Sequence, residues 1–495
     1  MQARVTVAQI KKCGINTGMT TIQTEAEQWG IPVDEISDLG QRLIDYYERY
    51  RAKLRTKTHD TSDYGLSYMS GLLRMETKRN IANIGRTMGV AEQNMQHFMS
   101  NSPWSGPGVI QAVQAEVRGH AEFQTGAVLV LDESADEKAG EASVGARRQH
   151  NGRLGKVELS QVGVFAALVT PRVNTWIDGA LYVPEWWFAA EQTELRRQVG
   201  LPDTCTFKTK PALAGELIQR LRARDVPFVA VAMDDLYGRN VELRQQLNQA
   251  GIEYYGDIPA DTRVYLDKPQ ITYPLTKRGK PRKRPHVSGA QRCQVQELVA
   301  SAHLEWAALT LRPNERGFLQ ARFGRMRVWI VQAGQCWQEW LLIRQEPGRT
   351  TYILSNAALE TPLRTMAERK SHRYFIERSN QDEKGEFGWD EFQACKYRAW
   401  EHQLALTILA SWFIAETRLD WMTRIQRDPA LLSHYEVDVL PLLSISNVRE
   451  LLRAAMPLPQ LSTDEAAALV VKHLINRTRS RKSRLRKLRQ SVPET

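Results

Sequence analysis

The sequence predicts an α/β protein with a β-rich insertion and helical ends. Three observations carry that prediction. Between 126 and 235, the apolar runs "AVLVLDES", "QVGVFAALVT" and "GALYVPEWW" have strand length and precede a helical "KTKPALAGELIQRLRARD" and a further strand, "VPFVAVAMDD". That order describes a sheet with helices packed on its faces. From 252 to 357 the alternation stops, and "EYYGDIP", "RVYLDKP", "MRVWIVQ", "WQEWLLIRQ" and "TTYILSN" read as strands without intervening helices. Helical spacing dominates on either side.

The order of these segments divides the chain. Residues 1–120 form a helical, DNA-binding candidate region. There "DEISDLGQRLIDYYERYRAKLR" sets Ile36, Leu39, Leu43, Ile44 and Tyr47 at helical spacing. Residues 79–104 read as two short helices about a Gly85–Gly89 turn, either a helix-turn-helix or an ordinary helical hairpin. The sheet occupies 121–251 and the β-rich insertion 252–357. Helices resume over 358–424, and a helical region, 425–495, ends in the polybasic "NRTRSRKSRLRKLRQ".

Bulk properties narrow the function. The 495 residues carry a formal net charge of +11. That excess points to a polyanionic partner, nucleic acid or membrane surface. Five dispersed cysteines form no C-x-x-C pair, which argues against a zinc ribbon or disulfide framework and for a reducing compartment. The N-terminus lacks a signal-peptide core. The most apolar run, 404–416, is too short to span a bilayer. A soluble, cytoplasmic protein is expected.

Carboxylates stand at informative places. Asp132 closes the first strand and Asp234 the fourth; acids at buried strand ends are costly unless paired, hydrogen-bonded or metal-bound. Glu133 and Asp136 follow Asp132 and are expected in a loop, and Asp235 competes with Asp234. In "HRYFIERSNQDEKGEFGWDEFQ", Glu377 lies about 40° around a helix from Arg373, and Lys384 about 20°. A solvated helix face explains that spacing as readily as a site. Were Glu377 to pack beside the two aspartates, three carboxylates would suit Mg²⁺, and two such ions suit phosphoryl transfer.

These motifs carry a resemblance. "LDESADEKAG" with "GARRQHNGRLGKVELSQVGV", then "MDDLYGRN", then "RYFIERSNQDEKGEFGWDEFQ" and "YRAWEHQLALT" resemble the DDE transposases of bacterial insertion sequences. The chain is most similar to the insertion sequence 701 family, within the broader insertion sequence 4 group. That group's signature is Tyr-x2-Arg-x3-Glu-x6-Lys; Arg373, Glu377 and Lys384 match it, and Lys370 stands at the Tyr position.

The resemblance implies a ribonuclease-H-like core in which Asp132, Asp234 and Glu377 are both the catalytic and the metal-binding acids. It implies Mg²⁺ or Mn²⁺ as cofactor, two ions per site. It also implies double-stranded DNA as partner, at the element's terminal repeats and the target, with a dimer formed on DNA. Water would cut at the element end, and the released 3′-hydroxyl would attack target DNA. Arg373 and Lys384 would contact phosphates. Lys138, Arg147, Arg148 and Lys156 would line the DNA path. Lys280, Arg282, Lys283 and Arg284 of the basic loop would add contacts, as would Arg479, Arg481 and Lys482 of the tail. Trp329, Trp337 and Trp340 are candidates for stacking on a base, or core residues. The protein would be nucleoid-associated. Two other readings fit the same residues: a ribonuclease-H-like nuclease outside transposition, and an inactive DNA-binding descendant of a transposase.

Overall fold

The computed structural model describes residues 33–57, 59–151, 155–274, 285–314, 317–332, 334–373, 384–424 and 444–459, with single positions at 381 and between 471 and 486. Short helices open the described chain: α1 (Val33–Ser37), α2 (Leu39–Glu48), α3 (Ser62–Arg74), α4 (Ile81–Thr87), α5 (Glu92–Ser100) and α6 (Gly106–Gly119). Leu39, Leu43, Tyr46 and Tyr47 bury one side of α2, as its periodicity requires. Asn80 caps α4 by accepting from the Asn83 amide at 3.0 Å. Gly89, at φ 71°, turns the chain into α5. The α4–α5 pair therefore has the two helices and turn expected from the sequence.

The sheet begins with β1 (Val128–Glu137), β2 (Arg147–Asn151), β3 (Lys156–Val169) and β4 (Asn174–Tyr182). These are antiparallel, with β1 on β3, β2 on part of β3, and β4 on its other part. The "PEWW" end of the expected third strand is a 3-10 turn instead, because Pro184 lacks the amide that a ladder needs. Helices α7 (Thr193–Val199) and α8 (Lys210–Ala223) lead to β5 (Ala230–Met233), which lies parallel to β1. After α9 (Asp235–Gly238) and α10 (Val241–Gln249), β6 (Tyr254–Ile258) pairs parallel to β5. The order β4-β3-β1-β5-β6, with β3 antiparallel to β1, is consistent with a ribonuclease-H-like core.

The β-rich stretch continues the same hydrogen-bonded sheet. Its strands are β7 (Arg263–Tyr265), β8 (Gln270–Thr272), β9 (His286–Ser288), β10 (Arg292–Gln294), β11 (Glu305–Asn314), β12 (Gly317–Gln332), β13 (Gln335–Glu346) and β14 (Arg349–Ser355). β14 returns antiparallel to β6, and β13, β12, β7 and β10 follow outward, while β8 and β9 pair apart. The expected boundary at 252 thus falls inside a continuous sheet, since β6 pairs with β5 on one edge and β14 on the other. The outer strands still gather their own apolar cluster, including Val264, Val328, Leu341 and Leu354.

Helix α11 (Leu363–Ser371) follows, then α12 (Tyr397–Arg424) and α13 (Ile445–Ala455). α12 is the helix of the apolar 404–416 run. Its side chains from Leu404 to Ala415 are buried all round, the mark of a central core helix. It packs on β4, α3, α5 and α6. No described helix is long and apolar enough to cross a membrane. Phe165 stacks on Trp176 at 4.1 Å, and the Trp389 ring meets both edge-on at 5.3 and 5.4 Å. This cluster ties the segment after Lys384 to the sheet.

Candidate active site

Strand register brings the first two acids together. β1 pairs with β5 up to Leu131 opposite Met233. Asp132 and Asp234 are therefore the next positions on two adjacent parallel strands, at the edge where both backbones leave their shared ladder. β1 does not end there. It runs on against β3 to Glu137, so Glu133 and Asp136 are strand residues rather than the expected loop residues. The antiparallel β3 supplies a partner after β5 has stopped.

Asp234 is also the N-cap of α9, accepting from the amides of Leu236 at 3.0 Å and Tyr237 at 3.3 Å. Asp235 is exposed and paired with Arg239 on the helix surface. The geometry thus separates the two competing aspartates. Burial, then the negative charge of Asp234, push the Asp132 carboxyl up to about 7, and the Arg373 guanidinium opposes that rise. Burial raises Asp234 as well, again against Arg373. Tyr237 is fully buried, and its hydroxyl has no hydrogen-bond partner among the described residues.

Arg373 lies just beyond α11. Its Nη2 is 4.0 Å from Asp234 Oδ2, and its Nε is 3.5 Å from Asp257 Oδ2. Lys370, in the signature's Tyr position, is buried with Nζ 2.8 Å from Asp257 Oδ1. Burial lowers its ammonium to about 8, while Asp257 works to keep it charged. Lys370 therefore faces an internal acid rather than solvent. Lys384 Nζ donates to the Ala135 carbonyl at 2.7 Å and lies 2.9 Å from Asp136 Oδ1. It fastens the downstream segment to the far part of β1, at Ala135 and Asp136. Glu377 lies outside the described residues.

The remaining basic candidates separate by environment. Lys138 is buried, and its ammonium donates to the Phe392 carbonyl at 2.8 Å. It is an internal strut, unlike the DNA contact expected, because the chain leaving β1 passes under the 392 segment. Arg148 and Lys156 are exposed on the β2–β3 hairpin, and the Arg147 guanidinium lies 4.0 Å above the Trp186 ring. Arg479, Arg481 and Lys482 are helical and exposed. Lys280, Arg282, Lys283 and Arg284 lie outside the described residues. Of the three tryptophans, Trp340 is core, donating to the Ala357 carbonyl at 3.1 Å, while Trp329 and Trp337 are half-buried.

Sequence reasoning missed Asp257. An acid closing the apolar "YYG" of "EYYGDIP" was a usable signal, by the same reasoning that selected Asp132.

A family model for DDE superfamily endonucleases matches residues 49–317, more than half of the chain. The chain belongs to this family. The matched span of this DDE endonuclease includes Asp132 and Asp234 and stops before Arg373. The chain is also similar to the probable transposase for insertion sequence element IS701 of Microchaete diplosiphon, at 22% identity over 328 residues, covering 65% of this chain and 73% of that protein.

Endonucleases of this superfamily use divalent metal ions, and the residues present fit one. Two half-buried carboxylates stand on neighbouring strands, the charge of Asp234 helping to raise Asp132, and hard oxygen donors of this kind are the ones such a cation takes. Among the described residues, no group of three or more carboxylate, imidazole or thiol side chains is placed to hold a metal ion.

Proposed function

We propose that this DDE endonuclease is a transposase that binds the terminal inverted repeats of its own insertion sequence, cuts there, and joins the 3′-hydroxyl ends to target DNA. The observation that carries this reading is the pairing of Asp132 with Asp234 on adjacent parallel strands, with Arg373 against Asp234. Arg373 begins the R-x3-E-x6-K spacing that runs through Glu377 to Lys384.

Asp132, Asp234 and Glu377 are the residues that would hold the cation, Mg²⁺ or Mn²⁺, with two ions expected per site. When bound, such ions supply positive charge to the scissile phosphate and acidity to a nearby water or hydroxyl. The chain's own residues do the positioning. Asp234, locked as a helix cap, offers its second oxygen to the site. Arg373 brings a guanidinium to where a phosphate would lie. Lys384 holds the Glu377 segment's far end against β1.

Arg147, Arg148 and Lys156 of the hairpin would meet the DNA backbone, positioning the duplex without reading its sequence. The basic loop from Lys280 to Arg284 and the tail residues Arg479, Arg481 and Lys482 would do the same. The helical region 1–120 is the candidate for reading the repeat, through the exposed side of α5. Two copies of the chain would hold two ends. The setting is cytoplasmic and nucleoid-associated.

Incubating labelled element ends with the protein and Mg²⁺ tests the reading. Cleavage with a free 3′-hydroxyl, followed by joining to a second DNA, is expected. Asp132→Asn, Asp234→Asn and Glu377→Gln should each lower cleavage by orders of magnitude and leave DNA binding nearly intact. Ordinary cleavage by any of the three variants would remove that residue from the site. Cleavage of all duplexes alike, without joining, would favour a general nuclease.

A further inference from the structure

We propose that Asp257 is a positioning residue of the metal site, an acid that holds Lys370 and Arg373 so that Arg373 stands beside Asp234 without neutralising it. The inference deepens the metal-site reading above and rests on it.

Three observations converge. The first is register: β5 and β6 run parallel with Met233 opposite Gly256, so Asp234 and Asp257 are the next positions on neighbouring strands. Asp132, Asp234 and Asp257 thus follow matched positions on β1, β5 and β6. The second is a main-chain approach. A Cβ added to Gly238 would collide with the Asp257 carbonyl oxygen, and one added to Gly256 would lie 2.7 Å from Gly238 Cα. The backbone of α9, capped by Asp234, therefore rests directly on the backbone of β6. The separation of Asp234 from Asp257 is set by main chain.

The third observation is the distribution of charge. Asp257 offers Oδ1 to Lys370 at 2.8 Å and Oδ2 to Arg373 at 3.5 Å. Lys370 is the residue in the signature's tyrosine position. An ammonium buried there needs an acid, and Asp257 supplies it. The same carboxylate draws Arg373 Nε, while Arg373 Nη2 stays 4.0 Å from Asp234. Arg373 thus reaches both an acid that anchors and an acid that would bind metal. Without the anchor, its charge would move toward Asp234 and compete with the incoming cation.

Mn²⁺ binding to the metal-free protein, followed by electron paramagnetic resonance, tests this without reference to activity. In Asp257→Asn/Lys370→Met, which leaves no lone buried ammonium, the Mn²⁺ dissociation constant should rise about tenfold, as for other outer partners of metal ligands. Adding Arg373→Gln should bring it back toward the wild-type value, because the competitor is gone. Wild-type affinity in the double variant would overturn the proposal, as would no recovery in the triple variant. Failure of the double variant to fold would also overturn it, showing Asp257 to be structural. Asp132→Asn serves as the reference. If it binds Mn²⁺ as the wild type does, the metal-site reading itself fails. If it loses Mn²⁺ while the Asp257 variants do not, only the role of Asp257 fails.

Discussion

Arg79 holds Glu391 across 312 residues of sequence: its backbone amide donates to Oε2 at 2.5 Å, and its Nη2 lies 2.9 Å from Oε1. Its Nη1 donates to the Glu386 carbonyl at 2.5 Å, and Nη2 donates also to the Gly385 carbonyl at 2.7 Å. Gly388 presses against it at φ 69°, where a Cβ would sit 2.6 Å from Arg79 Nε. The N-terminal helices thereby grip the stretch immediately after Lys384. Arg449 of α13 adds a second grip, on Glu386 at 2.5 Å.

Arg79 is 2% exposed, so its removal strands the Glu391 carboxylate and two carbonyls. Arg79→Met is expected to cost about 3–5 kcal/mol, the usual range for breaking a buried ion pair from one side. Urea unfolding should show a lower midpoint with an unchanged slope. An unchanged midpoint would mean that the grip contributes nothing to stability.

If Asp132 holds the cation as proposed, metal binding should depend on pH in a defined window. Its carboxyl sits at about 7 in the folded protein, against an ordinary 3.8, so the metal-free folded state keeps a proton that the unfolded chain has lost. Between these values the metal-free protein loses stability as pH rises, because the unfolded state binds fewer protons. A cation must displace that proton. Mn²⁺ affinity should therefore climb as pH rises toward about 7 and level above it, with at least roughly one proton released per site at pH 5 and far less at 8.5. Calorimetry in buffers of different ionisation enthalpy measures this release, and a flat profile would contradict the placement of Asp132.

Asp234 and Asp235 should part sharply on substitution. Asp235 is exposed and, among the described residues, pairs with Arg239 on the helix surface, so Asp235→Asn should leave cleavage within a few-fold and stability within about 0.5 kcal/mol. Asp234→Asn keeps a capping oxygen for Leu236 but loses the charge facing Arg373. It should abolish cleavage while the melting temperature moves little. The reverse pattern would transfer the role to Asp235.

Part of this arrangement was legible in sequence because burial is. Asp132 and Asp234 stood out as acids closing apolar runs, and α12 as an apolar run too short for a membrane. The continuation of β1 through "ESADE" was hidden, because those polar residues are held in a strand by β3 rather than by their own propensity. The single sheet joining core and insertion was hidden too. The pairing of β6 with β14 is a long-range contact that no local pattern encodes. Lys138 and Lys384 look like surface cations in sequence, yet each spends its ammonium on a carbonyl of a distant segment. Asp257 was masked by its partners, Lys370 and Arg373, which lie beyond the whole β-rich stretch.

The tail offers a test that separates grip from recognition. Arg479, Arg481 and Lys482 are exposed on helical positions, with further Lys and Arg residues about them. Cations placed so can touch phosphate without reading bases. Removing one cation from a phosphate should flatten the log–log salt dependence of binding by about 0.9. Deleting 477–495 should therefore weaken binding to all duplex DNA and lower the slope. The ratio of affinities for an element end and a scrambled sequence should stay the same. A tail that served only folding would leave the slope of the remaining soluble protein unchanged. A tail that read bases would reduce the ratio. Titrating both duplexes at several salt concentrations distinguishes these outcomes, and an unchanged slope would remove Arg479, Arg481 and Lys482 from the DNA path.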